Sequence, residues 1–329
     1  MELKKIGEYI KNIQKDGKIC VISDDNVAPL YMEDCMKSLQ KAGYDAYEYI
    51  LPAGEASKNG ENYLKIMSYL ASISMTRSDG IVALGGGMVG DLAGFSAATY
   101  MRGINVYQVP TTLLAAVDSS VGGKTAIDLP AGKNLVGAFH QPKLVLQDSA
   151  LLDTIPPETY REGMAEVIKY GVIDSPELFA KLNAPEYTKA HLQEIIQNCV
   201  DIKSKFVEAD EFDHGLRHKL NFGHTLGHAM EILSDYSLSH GDAVAKGMYW
   251  MTKISVEQGW CDIETLDQLE KVLNAYGFDL SLNFDIEEVY RVLCSDKKRT
   301  GNQIRIVTAD RIGECTLRLM NIEEVKALL

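Results

Sequence analysis

The sequence predicts an α/β N-terminal domain built on a Rossmann-like parallel sheet, followed by a mostly α-helical C-terminal domain. Three observations predict it. Short apolar runs alternate with helical periodicity up to about position 150. Beyond about Leu151 the strand-like runs give way to long amphipathic helical periods. Two glycine-rich loops, Leu84–Gly94 and Ala116–Asp128, each carry charge and follow strand-like runs in the first half. The expected domains are therefore 1–150 and 151–329, divided by a change of texture rather than by a visible linker.

The elements follow in order. KICVISD (Lys18–Asp24) reads as a strand ending in turn chemistry. Ala28–Gly43 reads as a helix stopped by glycine, and Tyr44–Pro52 as the next strand. Asn62–Ile73 is helical, and Asp79–Gly87 is a strand running into the first glycine loop. NVYQVPTTLL and KLVLQD supply further strands. Alternation of this kind gives a parallel sheet covered on both faces. In the second half, PPETYREGMAEVIKYGVI begins with prolines suited to a helix start. KAHLQEIIQNCVDIKSKFVEAD, TLGHAMEIL, GDAVAKGMYWMTKISVEQG and ETLDQLEKVLNAYG keep the helical period, and QIRIVTA is a short β-like element near the end.

The bulk properties exclude several classes of function. With 33 basic and 46 acidic residues the formal charge is -13, which argues against a nucleic-acid surface and leaves any anion site to cations focused in one place. Six scattered cysteines without C-x-x-C spacing argue against a disulfide framework or a zinc knuckle. The first residues are charged and amphipathic, and no apolar run approaches membrane-spanning length. The expectation is a cytoplasmic protein with no nucleic-acid or membrane partner.

Gly85, Gly87 and Gly90 satisfy G-x-G-x-x-G after a strand and before a helix, the arrangement that brings backbone N–H groups to a pyrophosphate. The match alone leaves a second reading open, a tight turn packing helix on strand. A dinucleotide fingerprint ordinarily follows the first strand, whereas this loop follows a later one. Asp91 would repel pyrophosphate and better suits an amide or a ribose hydroxyl. Glu55 and Lys58 sit in a post-strand loop, where ribose binding and simple solvation explain them equally well. SSVGGKT lacks P-loop spacing, yet Lys124 beside Gly122 and Gly123 offers a point charge among backbone donors. Lys133 and Asn134 occupy a second glycine-flanked turn, and Arg102 precedes a strand. Their combination in an otherwise apolar block favours an anionic ligand over solvated loop lysines.

His224 and His228 lie one helical turn apart, His240 follows in LSHGDAV, and Glu166 stands mid-helix among apolar neighbours. Three histidines and a glutamate suit a divalent metal. Spacing alone makes His224 and His228 joint ligands, against the plainer reading of a surface histidine pair. The absence of an obvious lysine partner for a buried Glu166 tilts the reading toward metal, because an unpaired buried carboxylate is costly.

GGGMVGDLAGF, MRG, QVPTTLLAAVDSSVGGKTAID, GKNLVGAFHQP, AEVIKYG, GLRHKLNFGHTLGHAME, HGDAV and DKK occur in that order. This series resembles the 3-dehydroquinate synthase family of sugar phosphate cyclases from Asp24 to about Lys298. The resemblance implies an NAD-binding domain, a helical metal-binding domain, an active site between them and a homodimer. It implies Glu166, His224 and His240 as ligands for zinc or cobalt, and it moves His228 to the substrate site. Lys124, Asn134 and Lys297 (or Lys298) would bind phosphate, with Arg102 serving the neighbouring subunit. Lys203 and Arg217 would hold the substrate carboxylate, with Asp118, Lys169 and Asn221 ordering the hydroxyls. Asp24, Asn26, Glu55, Lys58, Gly85, Gly86, Gly87, Asp91, Thr111, Thr112, Lys133 and Thr154 would contact NAD.

The implied substrate is a small sugar acid phosphate, 3-deoxy-arabino-heptulosonate 7-phosphate, and the implied setting is the shikimate pathway of aromatic amino acid biosynthesis. The implied reaction oxidises a ring alcohol transiently, eliminates phosphate, reduces the ketone again and closes the ring by an intramolecular aldol. The chain departs from the family pattern at Asp242, where glutamate is usual, and at His218 and Lys219. Two rivals differ in chemistry. A cyclase for a substrate without a carboxylate has no use for Arg217 and Lys203, and a polyol dehydrogenase has no use for the phosphate set.

Overall fold

The computed structural model describes residues 1–295 and 302–329, which form two compact units, Met1–Pro156 and Pro157–Leu329. The first unit opens with a short helix, α1 (Ile6–Lys11). It continues through β1 (Lys18–Asp24), α2 (Ala28–Lys41), β2 (Asp45–Leu51), α3 (Gly60–Ser72), β3 (Gly80–Gly85), α4 (Gly87–Thr99) and β4 (Asn105–Pro110). A hairpin of β5 (Lys124–Leu129) and β6 (Gly132–Phe139) and a two-residue strand, β7 (Leu144–Val145), complete it.

Five strands form one parallel sheet in the order β2-β1-β3-β4-β7. Both faces are buried along β1, β3 and β4, which is why β1 and β3 read as largely apolar runs, whereas the edge strand β2 is mostly half-buried or exposed. Ile19, Val21, Val82, Leu84, Tyr107 and Val109 pack with α1 and α2, while Cys20, Ile22, Ile81, Ala83 and Val106 pack with α3 and α4. The order reverses direction between β1 and β3, so this is the flavodoxin-like winding of a parallel α/β sheet. In such sheets ligands bind outside the carboxyl ends of the strands flanking the reversal. The glycine loop that follows β3 stands at that position, although β3 is not the first strand.

The segment just beyond position 150 stays with the first unit. Leu151 is fully buried in the sheet core, and the Tyr31 hydroxyl donates to its carbonyl at 3.1 Å and pairs with Thr154 Oγ1 at 2.7 Å. The β5–β6 hairpin replaces what the sequence suggested as two glycine-flanked loops. Its local signal is weak because half its residues are polar or glycine. Tertiary contact seats it instead: a Cβ on Gly94 of α4 would come within 2.5 Å of the Thr125 methyl, and Thr125 Oγ1 donates to the Ala138 carbonyl at 2.8 Å.

The second unit is mostly helical, with α5 (Pro157–Ile173), α6 (Pro176–Leu182), α7 (Pro185–Ala190), α8 (Leu192–Ala209), α9 (His224–Leu233), α10 (His240–Glu257), α11 (Ile263–Ala275) and α12 (Ile286–Ser295). The β-like QIRIVTA is the core of β8 (Gln303–Arg311), which pairs antiparallel with β9 (Glu314–Asn321) before α13 (Ile322–Leu328). Among the described residues no helix is long and apolar enough to cross a membrane.

Candidate functional site

In the second unit, Glu166 of α5, His224 at the start of α9 and His240 at the start of α10 converge. One ligand atom from each lies within 4.8 Å of the others. Glu166 Oε1 is 3.3 Å from His224 Nε2 and 3.4 Å from His240 Nε2. Atoms bound at 2.0–2.1 Å to a tetrahedral ion stand roughly 3.3–3.4 Å apart, so these separations already suit such a site. The carboxylate is sealed from solvent, and neither oxygen makes a hydrogen bond of good geometry.

The helix packing that brings these groups together depends on glycine. A Cβ on Gly241 would sit 2.4 Å from the Glu162 backbone, fixing the start of α10 against α5. A Cβ on Gly247 would sit 1.9 Å from the Gly223 carbonyl, so α9 and α10 touch backbone to backbone. Gly223 also takes a left-handed turn (φ 79°), which L residues with a Cβ rarely adopt. The Phe222 carbonyl lies 3.1 Å from His224 Nδ1 across that turn.

Each candidate imidazole is thus gripped at its far nitrogen. His224 Nδ1 meets the Phe222 carbonyl, and His240 Nδ1 meets Glu231 Oε1 at 3.3 Å. A neutral imidazole protonated on Nδ1 would turn its Nε2 lone pair toward Glu166, which is the tautomer that metal binding requires. Sequence reasoning missed Glu231. Its signal was present in HAME, since Glu231 continues the stripe of His224 and His228 at i+7. His228 points elsewhere: its Nε2 is 3.9 Å from Glu231 Oε2, and it stands outside the Glu166 group. His224 is therefore joined by a histidine of the next helix rather than by the one its spacing suggested.

One expectation is overturned. Glu166 does have a lysine partner, because Lys169 one turn on forms a close ion pair with Oε2 and is itself buried. Burial works to raise the Glu166 carboxyl, but Lys169 and then His224 outweigh it and hold it well below the usual carboxylate range. Burial likewise pushes the His224 imidazole down. For His240 burial acts downward too, yet its contacts with Glu166 and Glu231 carry it up to about 10.

Asp242, the residue that departs from the family pattern, organises the turn holding His240. It accepts from Arg161 Nη2 at 3.0 Å and from Ser239 Oγ at 2.9 Å, while its N–H donates back to Ser239 Oγ at 3.2 Å. The candidate substrate residues of this unit lie on packed elements. Helix α8 carries buried Lys203, and a 3-10 turn from Leu216 to Asn221 carries buried Arg217 and ends at Asn221. Both elements pack on α5 and on each other. Asp210 shapes the approach to this turn by accepting from the backbone N–H of His214, Gly215 and Arg217 at 2.9, 2.7 and 3.1 Å. The Arg217 guanidinium donates to the Glu211 carbonyl at 2.6 Å. Lys297 and its alternative Lys298 lie outside the described residues.

In the first unit the candidate nucleotide residues gather at the carboxyl ends of the strands. Asp24 ends β1 and accepts from the N–H of Asn26 and Val27, both at 3.0 Å; burial raises its carboxyl above the usual range. Glu55 and Lys58 follow β2, Gly85–Gly87 join β3 to α4, and Thr111 and Thr112 follow β4. The Thr111 N–H donates to the Gly85 carbonyl at 3.0 Å, and a Cβ on Gly86 would meet the Thr112 methyl at 3.0 Å. Thr111 Oγ1 is buried with no hydrogen-bond partner, and Gly86 and Gly87 open a thirteen-residue helix; both features suit a phosphate-bearing ligand. Gly90 has a packing role, since its Cβ would meet Gln108 Oε1 at 2.9 Å.

Lys58 is the hub of this edge. Its ammonium is buried and donates to Asp91 Oδ2 and Asn134 Oδ1, both at 2.6 Å, with Glu55 at 3.7 Å. Burial acts to lower its pKa, but Asp91 and Glu55 outweigh it and hold Lys58 above the usual lysine value. Asp91 thus pairs with a cation rather than facing a phosphate. Asn134 takes a left-handed backbone (φ 56°), and because its Oδ1 accepts from Lys58, its amide N–H groups are the part that suits phosphate. Asp118 sits on a π-helical turn, Ala115–Ser119, a distortion frequent at functional positions. Lys124 opens β5 and is exposed, and Lys133 lies on β6. Met101, Arg102 and Gly103 all have positive φ (51°, 70° and 119°), with Arg102 exposed.

Comparison with known proteins extends this picture to the whole chain. The 3-dehydroquinate synthase N-terminal family matches residues 48–162, and its C-terminal counterpart matches residues 163–299. The chain is 42% identical over 332 residues to a 3-dehydroquinate synthase of Enterococcus faecalis (strain ATCC 47077 / OG1RF), covering 99% of this chain and 93% of that one. It is 40% identical over 333 residues to the Streptococcus pneumoniae (strain Taiwan19F-14) enzyme of the same name, covering 99% and 94%. A solved structure of 2-deoxy-scyllo-inosose synthase, complexed with carbaglucose-6-phosphate, NAD+ and Co2+, superposes with a TM-score of 0.88 at 26% identity, covering 99% of this chain and 93% of that one. With both halves matched and relatives 40% and 42% identical across 99% of the chain, the chain belongs to the 3-dehydroquinate synthase family.

Proposed function

We propose that the protein is a 3-dehydroquinate synthase, converting 3-deoxy-arabino-heptulosonate 7-phosphate to 3-dehydroquinate and inorganic phosphate with NAD and a divalent metal, zinc or cobalt. The observation that carries this reading is the Glu166, His224 and His240 cluster, whose near nitrogens face one buried carboxylate while their far nitrogens are held. When bound, the metal supplies Lewis acidity at a substrate oxygen and NAD+ supplies a hydride acceptor that is regenerated in each turnover.

The chain's own residues then bind, orient and hold charge. Lys203 and Arg217, both buried cations, hold the substrate carboxylate. Lys124, the amide of Asn134 and Lys297 or Lys298 hold the phosphate, and Arg102 contributes from a neighbouring subunit of a homodimer. Lys169, in its ion pair with Glu166, orders the substrate hydroxyls together with Asp118, Asn221 and His228. Asp24, Asn26, Glu55, Lys58, the Gly85–Gly87 loop, Asp91, Thr111, Thr112, Lys133 and Thr154 hold NAD. During elimination the C–H next to the transient ketone gives its proton to the substrate's own phosphate, the C–O bond breaks, and phosphate leaves with the electron pair. No protein base is needed. The six cysteines, none of them in a disulfide, suit a reducing cytoplasmic setting.

The test is direct. Purified, metal-loaded protein with NAD+ and the heptulosonate phosphate should release inorganic phosphate without net NADH. Stoichiometric NADH would instead make it a dehydrogenase. Phosphate release from a neutral sugar phosphate but not from the heptulosonate would make it a cyclitol-forming cyclase, the class of the 2-deoxy-scyllo-inosose synthase to which it is similar.

A further inference from the structure

We infer that Glu231 is a positioning residue for metal binding, acting through His240. The inference rests on the ligand set proposed above and adds a residue to it. Glu231 is 6% exposed on the third turn of α9, on the same stripe as His224 and His228. Its Oε1 lies 3.3 Å from His240 Nδ1, while His240 Nε2 lies 3.4 Å from Glu166 Oε1. One imidazole therefore bridges two carboxylates that approach its opposite nitrogens from different helices.

The two histidines of the cluster solve the same problem differently. His224 is held by a backbone carbonyl, Phe222 O, whose position follows from the Gly223 turn. His240 is held by a side chain. A carboxylate accepting from Nδ1–H fixes the tautomer that leaves Nε2 with its lone pair, locks the ring plane, and makes the far nitrogen a better electron donor. Two other acidic side chains stand near the start of α10, but Glu162 of α5 bonds to Ser239, and Asp242 bonds to Ser239 and Arg161. Glu231 is therefore the group that sets the ring. Its second oxygen faces His228 Nε2 at 3.9 Å, so the same carboxylate also borders the histidine assigned to the substrate site.

The experiment uses full-length protein and cobalt(II) alone as the probe, with affinity measured by chelator competition and coordination read from the visible absorption band. E231A should weaken cobalt binding about 10- to 100-fold. E231Q, whose amide oxygen still accepts from Nδ1–H, should lose less and shift the band. Far-ultraviolet circular dichroism checks the fold; should E231A prove unfolded, E231Q decides alone. Affinities within twofold of wild type, with an unchanged band in both variants, would overturn the inference. So would a wild-type protein that binds two equivalents where E231A binds one, because His228, Glu231 and His240 also cluster closely enough to ligate, and Glu231 would then be a ligand itself. H240A separates the two readings. If H240A binds cobalt like wild type, the proposed ligand set fails; if H240A loses cobalt while both Glu231 variants keep it, only the positioning role fails.

Discussion

The two units present their candidate residues in opposite ways. In the first, the residues line the carboxyl ends of parallel strands, several of them exposed, and strand order alone decides which loops are neighbours. In the second, Glu166 is sealed in a helix, and its partners arrive at the first residues of two other helices through glycine-mediated contacts. A strand edge tolerates variation in each loop because the sheet fixes the loop ends. A helix-packed cluster has no such tolerance, since shifting one helix by the width of a methyl group displaces a ligand. The difference predicts that the second unit fails abruptly and the first fails by degrees.

The largest expected effect is in the second unit. H240A should retain its helical circular dichroism yet lose phosphate release by at least about 10³-fold, since metal assistance amounts to several kcal/mol. Near-normal turnover in a metal-depleted H240A protein would dissolve the comparison. Next, in the first unit, K58A strips the cation from Asp91 and Asn134. Discounting the 19% exposure of Asp91, unfolding should become easier by about 2–3 kcal/mol in a denaturant titration. Its NAD+ affinity should fall while cobalt affinity is unchanged; loss of cobalt would show that the two regions are not independent.

Smaller effects sharpen the contrast. G241A drives a Cβ into the Glu162 backbone and should cost about 1–3 kcal/mol together with cobalt affinity. G60A, at the start of α3 with nothing within 4 Å, should shift stability by no more than about 1 kcal/mol, in the stabilising direction. Equal effects on thermal melting would remove the distinction drawn here between close-packed and open glycines. The smallest effect concerns pH. Three backbone N–H donors lower Asp210 from the ordinary 3.8 to about 2. A group depressed on folding stabilises the fold above its unfolded pKa, and that contribution is lost as pH falls through the folded value. Hydrogen-exchange protection of residues 210–217, taken relative to the intrinsic rate at each pH, should therefore fall between about pH 4 and pH 2 in wild type, and D210N should flatten that dependence. An unchanged profile in D210N would show that another carboxylate holds the turn.

Much of this was legible in the sequence, and the failures have physical causes. The parallel sheet was legible because its central strands are buried on both faces, so β1 and β3 carry largely apolar runs. The β5–β6 hairpin was not, because its glycine-rich, half-polar residues are held by Thr125 against α4 rather than by their own pattern. Reading Glu166 as lacking a lysine partner failed although Lys169 stood three residues on, because a charge on an apolar helix face looks unpaired until burial is known. Glu231 was visible in HAME but pointed to nothing until His240 was seen to face it. The puzzle of a glycine loop on a later strand vanished once β3 proved to lie beside β1.

The sequence by itself determined the alternating architecture of the first unit, the helical character of the second, and the motif series that identifies the family. These follow from periodicity and composition, which are local and are written residue by residue. Only the tertiary structure decided that β1 and β3 flank the reversal of the sheet, that Lys58 joins Asp91 to Asn134, and that Glu231 meets His240 on the side away from Glu166. Those pairings depend on strand order and on how closely helix backbones approach, and both are settled by burying surfaces far apart in the chain.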